Sequence, residues 1–66
     1  MDLVITMHAQ ERMDQHGITR EQVKVAVQRG AKVSQTDGLL ATYGYIGVAF
    51  KIVEEKVIVK TVMIQR

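Results

Sequence analysis

Cysteine, proline and tryptophan are all absent from the 66 residues of this chain. Without cysteine the chain can form neither a disulfide nor a thiolate-bound metal site, which stabilise many very small domains. A chain of this length buries only about 60% of the surface that its unfolded form exposes, so it has room for one small core. We therefore expect a single domain over residues 1–66, with association between copies as the remaining source of stability.

Long hydrophobic runs and a strong net charge are missing too. No apolar stretch reaches the roughly 18–20 residues that cross a membrane, and residues 1–4 lack the basic region of a signal peptide. The net charge of +2 permits an anionic partner without identifying one. With 47% hydrophobic and 24% charged residues, the composition is that of a globular domain and excludes a disordered chain. We expect a cytoplasmic protein that does not contact a membrane.

Capping residues mark two helices in the first half of the chain. Thr6 is suited to cap a helix over residues 7–16, which Gly17 would end in a left-handed conformation. Thr19 stands three residues before Gln22, the spacing of a capping box, and so begins a second helix. Because so few residues separate the two helices, they should form a helical hairpin.

After Gly30, which ends the second helix, the apolar residues recur with a period of two that is typical of β-strands. The pattern predicts strands over residues 32–36, 39–45, 46–53 and 57–65, with a hairpin turn at Asp37-Gly38 and a polar break at Glu54-Glu55-Lys56. The sequence therefore predicts an α+β fold, in which a helical hairpin of about residues 6–30 packs on a four-stranded antiparallel sheet of about residues 31–65.

The register of the last hairpin has two solutions. A three-residue turn pairs Val53 with Val57 and gathers the bulkiest side chains of both strands on one face, although it also turns Lys60 toward the core. A two-residue turn pairs Val53 with Lys56 and exchanges the faces of the last strand, because a shift of one residue inverts every side chain. We favour the three-residue turn for its larger core.

Both faces of that hairpin carry apolar residues in either register, whereas two short helices can cover only one face. The uncovered face would expose an apolar patch of roughly several hundred Å², which is uncommon on a monomer. Such a patch favours association between copies. This predicts a homodimer with two-fold symmetry. The alternative is a solvent-filled ligand groove ringed by His8, Arg12 and other basic side chains.

His8 and Arg12 are the first candidates for chemistry, because they stand one turn apart on the same side of the first helix. A neutral imidazole there would act as general base or acid, while the guanidinium holds a phosphate. The alternative is a surface pair in which Arg12 bridges to Glu11, Asp14 or a neighbouring strand. His8 and His16 are two turns apart with no third ligand type nearby, so the sequence indicates no metal site and no other cofactor.

Tyr43, Tyr45, Lys60 and Thr61 are candidates for binding a substrate. The two tyrosines alternate on one face of a predicted strand, where they are placed to stack nucleobases, or else to form a partly buried cluster at the edge of the sheet. Lys60 and Thr61 lie in the middle of the last strand, a rigid position for a phosphate contact. For Thr61 the alternative is simply its good fit to a strand.

Residues 8–23 resemble the helical hairpin of domain-of-unknown-function family 4258. The family pattern is H-A-x-x-R-M-x-x-R-G-I-[ST]-x-x-x-V, with a glycine closing the second helix as Gly30 does here. The chain departs from the pattern at His16, where arginine is usual. Residues 59–62 also resemble the family's final I-x-T-V strand.

The resemblance implies a function as well as a fold, since the family is grouped with the RelE/ParE-like toxin fold of metal-independent ribonucleases. It implies that an RNA-cleaving site is lined by His8, Arg12 and Thr61, with Lys60 and Tyr43 or Tyr45 in support. RNA and an antitoxin protein are the partners that it implies. Three hypotheses therefore stay open: a toxin-type endoribonuclease or translation inhibitor, a catalytically inactive binding or regulatory module, and a homo-oligomeric structural domain.

Overall fold

A computed structural model describes residues 2–65 as two helices on one side of a single sheet. In chain order the elements are β1 (Asp2–Ile5), α1 (Met7–His16), α2 (Arg20–Arg29), β2 (Ala31–Gln35), β3 (Gly38–Tyr43), β4 (Ile46–Val53) and β5 (Lys56–Ile64). The strands lie side by side in the order β1-β5-β4-β3-β2. The α+β class with two helices is confirmed. The expected four-stranded antiparallel sheet is wrong, because the sheet has five strands and is mixed.

The additional strand is β1, which runs parallel to β5 with Leu3 opposite Val57 and Ile5 opposite Val59. All other neighbouring strands are antiparallel. Four residues are too few to show a period of two, so β1 has no clear signal in the sequence. Ile5 also fits the apolar side of the following helix, so its spacing favours neither structure.

The two helices begin and end where the capping residues predict. The Oγ1 of Thr6 accepts a hydrogen bond from the backbone N–H of Ala9 at 3.2 Å, and Gly17 has the expected left-handed φ of 68°. Thr19 and Gln22 form the predicted capping box, with side-chain to backbone bonds of 2.8 and 3.1 Å. No helix among residues 2–65 is long and apolar enough to cross a lipid bilayer.

The core lies between the two helices and one face of the sheet. The helices and their connection contribute Ala9, Met13, Ile18, Val23, Ala26 and Val27, and the sheet contributes Ala41, Ile46, Val48, Phe50, Val57, Val59 and Val62. We call the face of the sheet turned away from the helices the outer face. Within residues 2–65, no other element covers it.

The last hairpin turns through two residues, Glu54 and Glu55, which both have positive φ values of 48° and 68°. Val53 therefore pairs with Lys56, so the favoured three-residue turn is wrong. Positive φ at both central positions is the geometry of a type I′ turn, whose twist matches that of the flanking strands. The usual asparagine and glycine are absent here, so this turn type has no clear signal in the sequence.

A β-bulge then changes the register in the middle of β5. Phe50 lies opposite Val59 while Ala49 lies opposite Thr61, so Lys60 is the extra residue. The extra residue makes the second half of β5 face as the three-residue turn would have placed it. Each of the two predicted registers thus describes one half of the strand. Lys60 is not turned toward the core, which corrects the expectation attached to the favoured register.

Candidate functional site

The predicted site residues lie in three different parts of the molecule. His8 and Arg12 are on α1, on the helix side of the sheet. Lys60 and Thr61 are at the bulge of β5, and the two tyrosines are at the end of β3 and in the turn that follows it. No described contact joins the three groups. Their roles in catalysis or binding stay predictions.

His8 and Arg12 lie beside the part of α1 that packs on the sheet. His8 is exposed and Arg12 is half-buried. The Nη1 of Arg12 donates to the Oε1 of Gln15 at 3.4 Å, so its partner is one turn further along α1. The imidazole of His8 is open to solvent and the side chain of Arg12 is partly so. An imidazole beside a guanidinium is able to contact an anionic ligand.

The start of α1 is joined to the bulge of β5 by the side chain and backbone of Thr6. Its Oγ1 donates to the carbonyl of Val59 at 2.9 Å, and its backbone N–H donates to the same carbonyl at 3.3 Å. Thr61 nevertheless faces away from α1, because its neighbour Val62 is fully buried in the core and successive strand residues point to opposite faces. The sheet therefore separates the side chain of Thr61 from those of α1.

Lys60 shares an acidic partner with Lys51 on the outer face. The Nζ atoms lie 3.8 and 3.9 Å from the Oδ2 of Asp37, and Lys60 also donates to the backbone carbonyl of Asp37. Asp37 belongs to the turn between β2 and β3. Because these side chains are partly or largely exposed, each ion pair contributes only about 0–1 kcal/mol. The pairing holds both ammonium groups at one end of the outer face.

The rest of the outer face is largely apolar. Apart from Ala31 at the start of β2, its apolar members are Val4, Val33, Leu40, Ala49, Val53, Ile58 and Met63. They follow one another across neighbouring strands, as in the paired positions Val33, Leu40 and Ala49. Val33 is 58% exposed although it is a strand residue. We call this set of seven residues the outer apolar band.

The two tyrosines do not alternate on one face of a strand, which corrects the expectation for them. β3 ends at Tyr43, and Tyr45 lies with Gly44 in the two-residue turn that leads into β4. Gly44 has a φ of 61°, which glycine adopts without strain. The N–H of Gln65 donates to the carbonyl of Tyr45 at 2.6 Å and so holds the turn against the end of β5.

This turn and the beginning of α2 enclose a pocket of about 270 Å³, which we call the tyrosine pocket. It is lined by Glu21, Gln22, Val25, Tyr43, Gly44, Tyr45 and Ile46, and its surface is mostly apolar. The residues of α2 that line the pocket have no signal in the sequence. The spacing of Glu21 and Val25 does not show which part of the sheet that side of α2 contacts. Among residues 2–65, no three His, Asp or Glu side chains gather as metal ligands would.

A comparison with protein families extends the resemblance seen in the helical hairpin. The family model described as Domain of unknown function (DUF4258) matches residues 5–64, which include both helices and strands β2 to β5. No curated protein and no solved structure matches the chain. The link to RelE/ParE-like toxins stays a prediction from the resemblance. The chain belongs to the domain-of-unknown-function family DUF4258.

Proposed function

We propose that the chain is a catalytically inactive binding module that associates with a second copy through the outer apolar band. The observation that carries this proposal is the uncovered outer face of the sheet. Val4, Val33 and Val53 are each more than 40% exposed there, on three different strands. Val4 and Val33 lie on the two edge strands, and the strands between them carry the half-buried Leu40, Ile58 and Met63. Apolar surface that a chain leaves uncovered in this way often marks an interaction site.

The dimensions of the molecule are compatible with such a dimer. Stable interfaces bury about 800 Å² on each partner, roughly a fifth of the 4287 Å² surface of this chain. The two longest extents of the molecule are 29 and 22 Å, so one face offers on the order of 600 Å² in projection. An interface that buried most of such a face on both copies would total about 1200 Å², the lower limit for a stable interface. Because a two-fold interface uses the same patch twice, an apolar band is complementary to itself.

The charges on the outer face also favour association. Asp37 lies in the turn at one end of the sheet, and it holds the ammonium groups of Lys51 and Lys60 near that end. The row through the centre of the band is Val33, Leu40, Ala49 and Thr61, which contains no charged residue. An interface centred there would leave the ion pairs at a solvated rim, where they cost little to keep.

The positions of the predicted catalytic residues support binding over RNA cleavage. A metal-independent ribonuclease needs a base, an acid and a cation around one phosphate. His8 and Arg12 lie on the helix side of the sheet, whereas the side chain of Thr61 lies on its outer face. One phosphate would not contact both groups in this arrangement.

Two matched variants test the proposal. Val33 on the outer face and Ile52 on the helix side are 58% and 61% exposed, so either accepts a charge without disturbing the core. We expect the wild-type chain at tens of micromolar to sediment with twice its mass of 7.4 kDa. Val33→Glu should reduce the mass to that of the monomer, and Ile52→Glu should leave the dimer intact. A monomeric wild-type chain, or equal effects of the two variants, would contradict the proposal.

The toxin-type ribonuclease or translation inhibitor is the second candidate, and an antitoxin would be its partner. It is favoured by the solvent-accessible imidazole of His8, one turn from a half-buried Arg12. Expression of the chain would then arrest growth and cleave cellular RNA. His8→Ala would abolish both effects, whereas His16→Ala, at the exposed end of the same helix, would keep them. That result would replace the inactive module with an enzyme.

A further inference from the structure

We infer that the tyrosine pocket binds the side chain of an arginine from a peptide partner. The pocket opens between α2 and the turn that joins β3 to β4, so it belongs to the helix side of the sheet. A dimer formed through the outer apolar band would leave it accessible. The inference is therefore independent of the proposed association.

The size and lining of the pocket suit one long side chain. Its volume of about 270 Å³ is just below the roughly 300–1000 Å³ of sites for small molecules. Val25 and Ile46 provide an apolar wall for the aliphatic part of an arginine. Tyr43 and Tyr45 are 44% and 55% exposed, so neither ring is fully packed against the protein. A guanidinium group stacks well on a ring of this kind.

The charge of the pocket favours a cation. Glu21 is the one charged residue that lines it, and neither ion pair described for residues 2–65 involves Glu21. The guanidinium of the adjacent Arg20 is directed elsewhere, because its Nη2 donates to the carbonyl of Leu3 at 2.6 Å. Glu21 is therefore free to accept the paired N–H groups of an incoming guanidinium.

A nucleobase is the competing occupant, since both tyrosines are suited to stacking. The phosphates of an RNA strand would approach the carboxylate of Glu21, and no lysine or arginine lines the pocket to offset the repulsion. A planar cation gains from the same carboxylate and from the same rings. The electrostatics thus favour arginine over a nucleotide.

The walls of the pocket are held in place before any ligand binds. Tyr45 is tied to β5 through the hydrogen bond from Gln65, and the Oε1 of Gln22 accepts from the backbone of Thr19 in the capping box. These bonds hold the backbone of the turn and the side chain of Gln22, so a ligand need not order them on binding.

The test is an NMR titration of the isotopically labelled full chain with the blocked tripeptide acetyl-Gly-Arg-Gly-amide. The amide of Gly44 reports on the pocket, and that of Gly17, at the end of α1, is the distant control. We expect saturable shifts at Gly44, and an affinity about tenfold lower when citrulline, the neutral analogue, replaces arginine. Glu21→Gln should weaken binding about two- to fivefold, whereas Glu11→Gln on α1 should leave it unchanged.

Three results would overturn the inference. The first is the absence of saturable shifts at Gly44, and the second is equal affinity for the citrulline peptide. The third is that a hexauridylate binds more tightly than the arginine peptide and that Glu21→Gln increases its affinity further. The last result would identify a nucleic-acid site instead. Repeating the titration on Val33→Glu separates the two proposals, because a monomeric variant should bind the arginine peptide as the wild type does.

Discussion

The two faces of the sheet are built from the same strands, yet they differ in what their side chains contact. On β4 the helix-side residues Val48 and Phe50 are 0% and 1% exposed, since the helices lie over them. The outer-face residues between and beside them are Gly47, Ala49 and Lys51, which are smaller or charged. The helix side supplies the stability of the chain, and the outer face remains available for a partner.

The comparison shows that apolar character alone does not define a core. Val33 and Val48 are the same residue type on neighbouring parts of one sheet, but Val33 is 58% exposed and Val48 is fully buried. The difference comes from the helices, which meet only one face. An apolar residue that its own chain leaves uncovered is a candidate contact for another chain.

Truncating one residue on each face should give the largest difference in the free energy of unfolding. Phe50→Ala removes the bulkiest fully buried side chain and should lower the free energy of unfolding by about 3–5 kcal/mol. Because one core of this size supplies no more than about 3–5 kcal/mol, the variant should be largely unfolded by far-UV circular dichroism. Val33→Ala on the outer face should stay folded, with a loss of about 1 kcal/mol or less at concentrations where the chain is monomeric. Equal losses would mean that the two faces do not differ in this way.

Adding a methyl group at two glycines should give a smaller contrast. At Gly30 a Cβ atom would lie 2.5 Å from the carbonyl oxygen of Ala26 and 2.6 Å from that of Thr42, and neither backbone can move freely. Gly30→Ala should therefore cost about 1–3 kcal/mol in urea unfolding. At Gly47 on the outer face, the nearest atom is the Cγ of Met63 at 2.9 Å, which a flexible side chain can withdraw. Gly47→Ala should lower the free energy of unfolding by less than Gly30→Ala does. The reverse order would contradict the view that the outer face adjusts more easily than the helix side.

Replacing the turn residues should give a modest gain in stability. Glu54 and Glu55 hold left-handed conformations, which cost an L-residue roughly 1–2 kcal/mol each. Asn-Gly at these positions should raise the free energy of unfolding by about 1–2 kcal/mol, since this pair prefers the type I′ turn. The Gln-Gln variant, which removes the same charges without relieving the backbone, is the control and should show little gain. A similar gain in both would assign the effect to charge.

The sequence predicts the parts of this fold that depend on neighbouring residues. Both helices follow from their caps, and Ile46–Val53 emerges as a strand with its observed bounds from a period of two. β1, by contrast, exists because it pairs with β5, which is more than fifty residues away in the chain. The bulge at Lys60 also has no local signal. The two-residue turn alone would turn Val62 and Ile64 away from the helices. The extra residue at the bulge turns them back toward the core.

The candidate sites were harder to predict for the same reason. The sequence identified Tyr43 and Tyr45 as a pair but not the turn that separates them or Glu21, which faces them from α2. The sequence predicts two apolar faces on the last hairpin, and the second of them forms the part of the outer apolar band that lies on β4 and β5. The sequence does not show the bulge in β5. Because the bulge changes which side chains of β5 face outward, it decides which residues the band contains.

Intermolecular NMR contacts test the central claim, that a second copy covers the outer face, most directly. In a mixture of isotopically labelled and unlabelled chains, filtered NOE spectra report only contacts between copies. The account predicts contacts among the methyl groups of Val33, Leu40 and Met63, and none from Ile52, which lies on the helix side. Contacts from Ile52 with none from the outer apolar band, or no contacts at all at millimolar concentration, would contradict it.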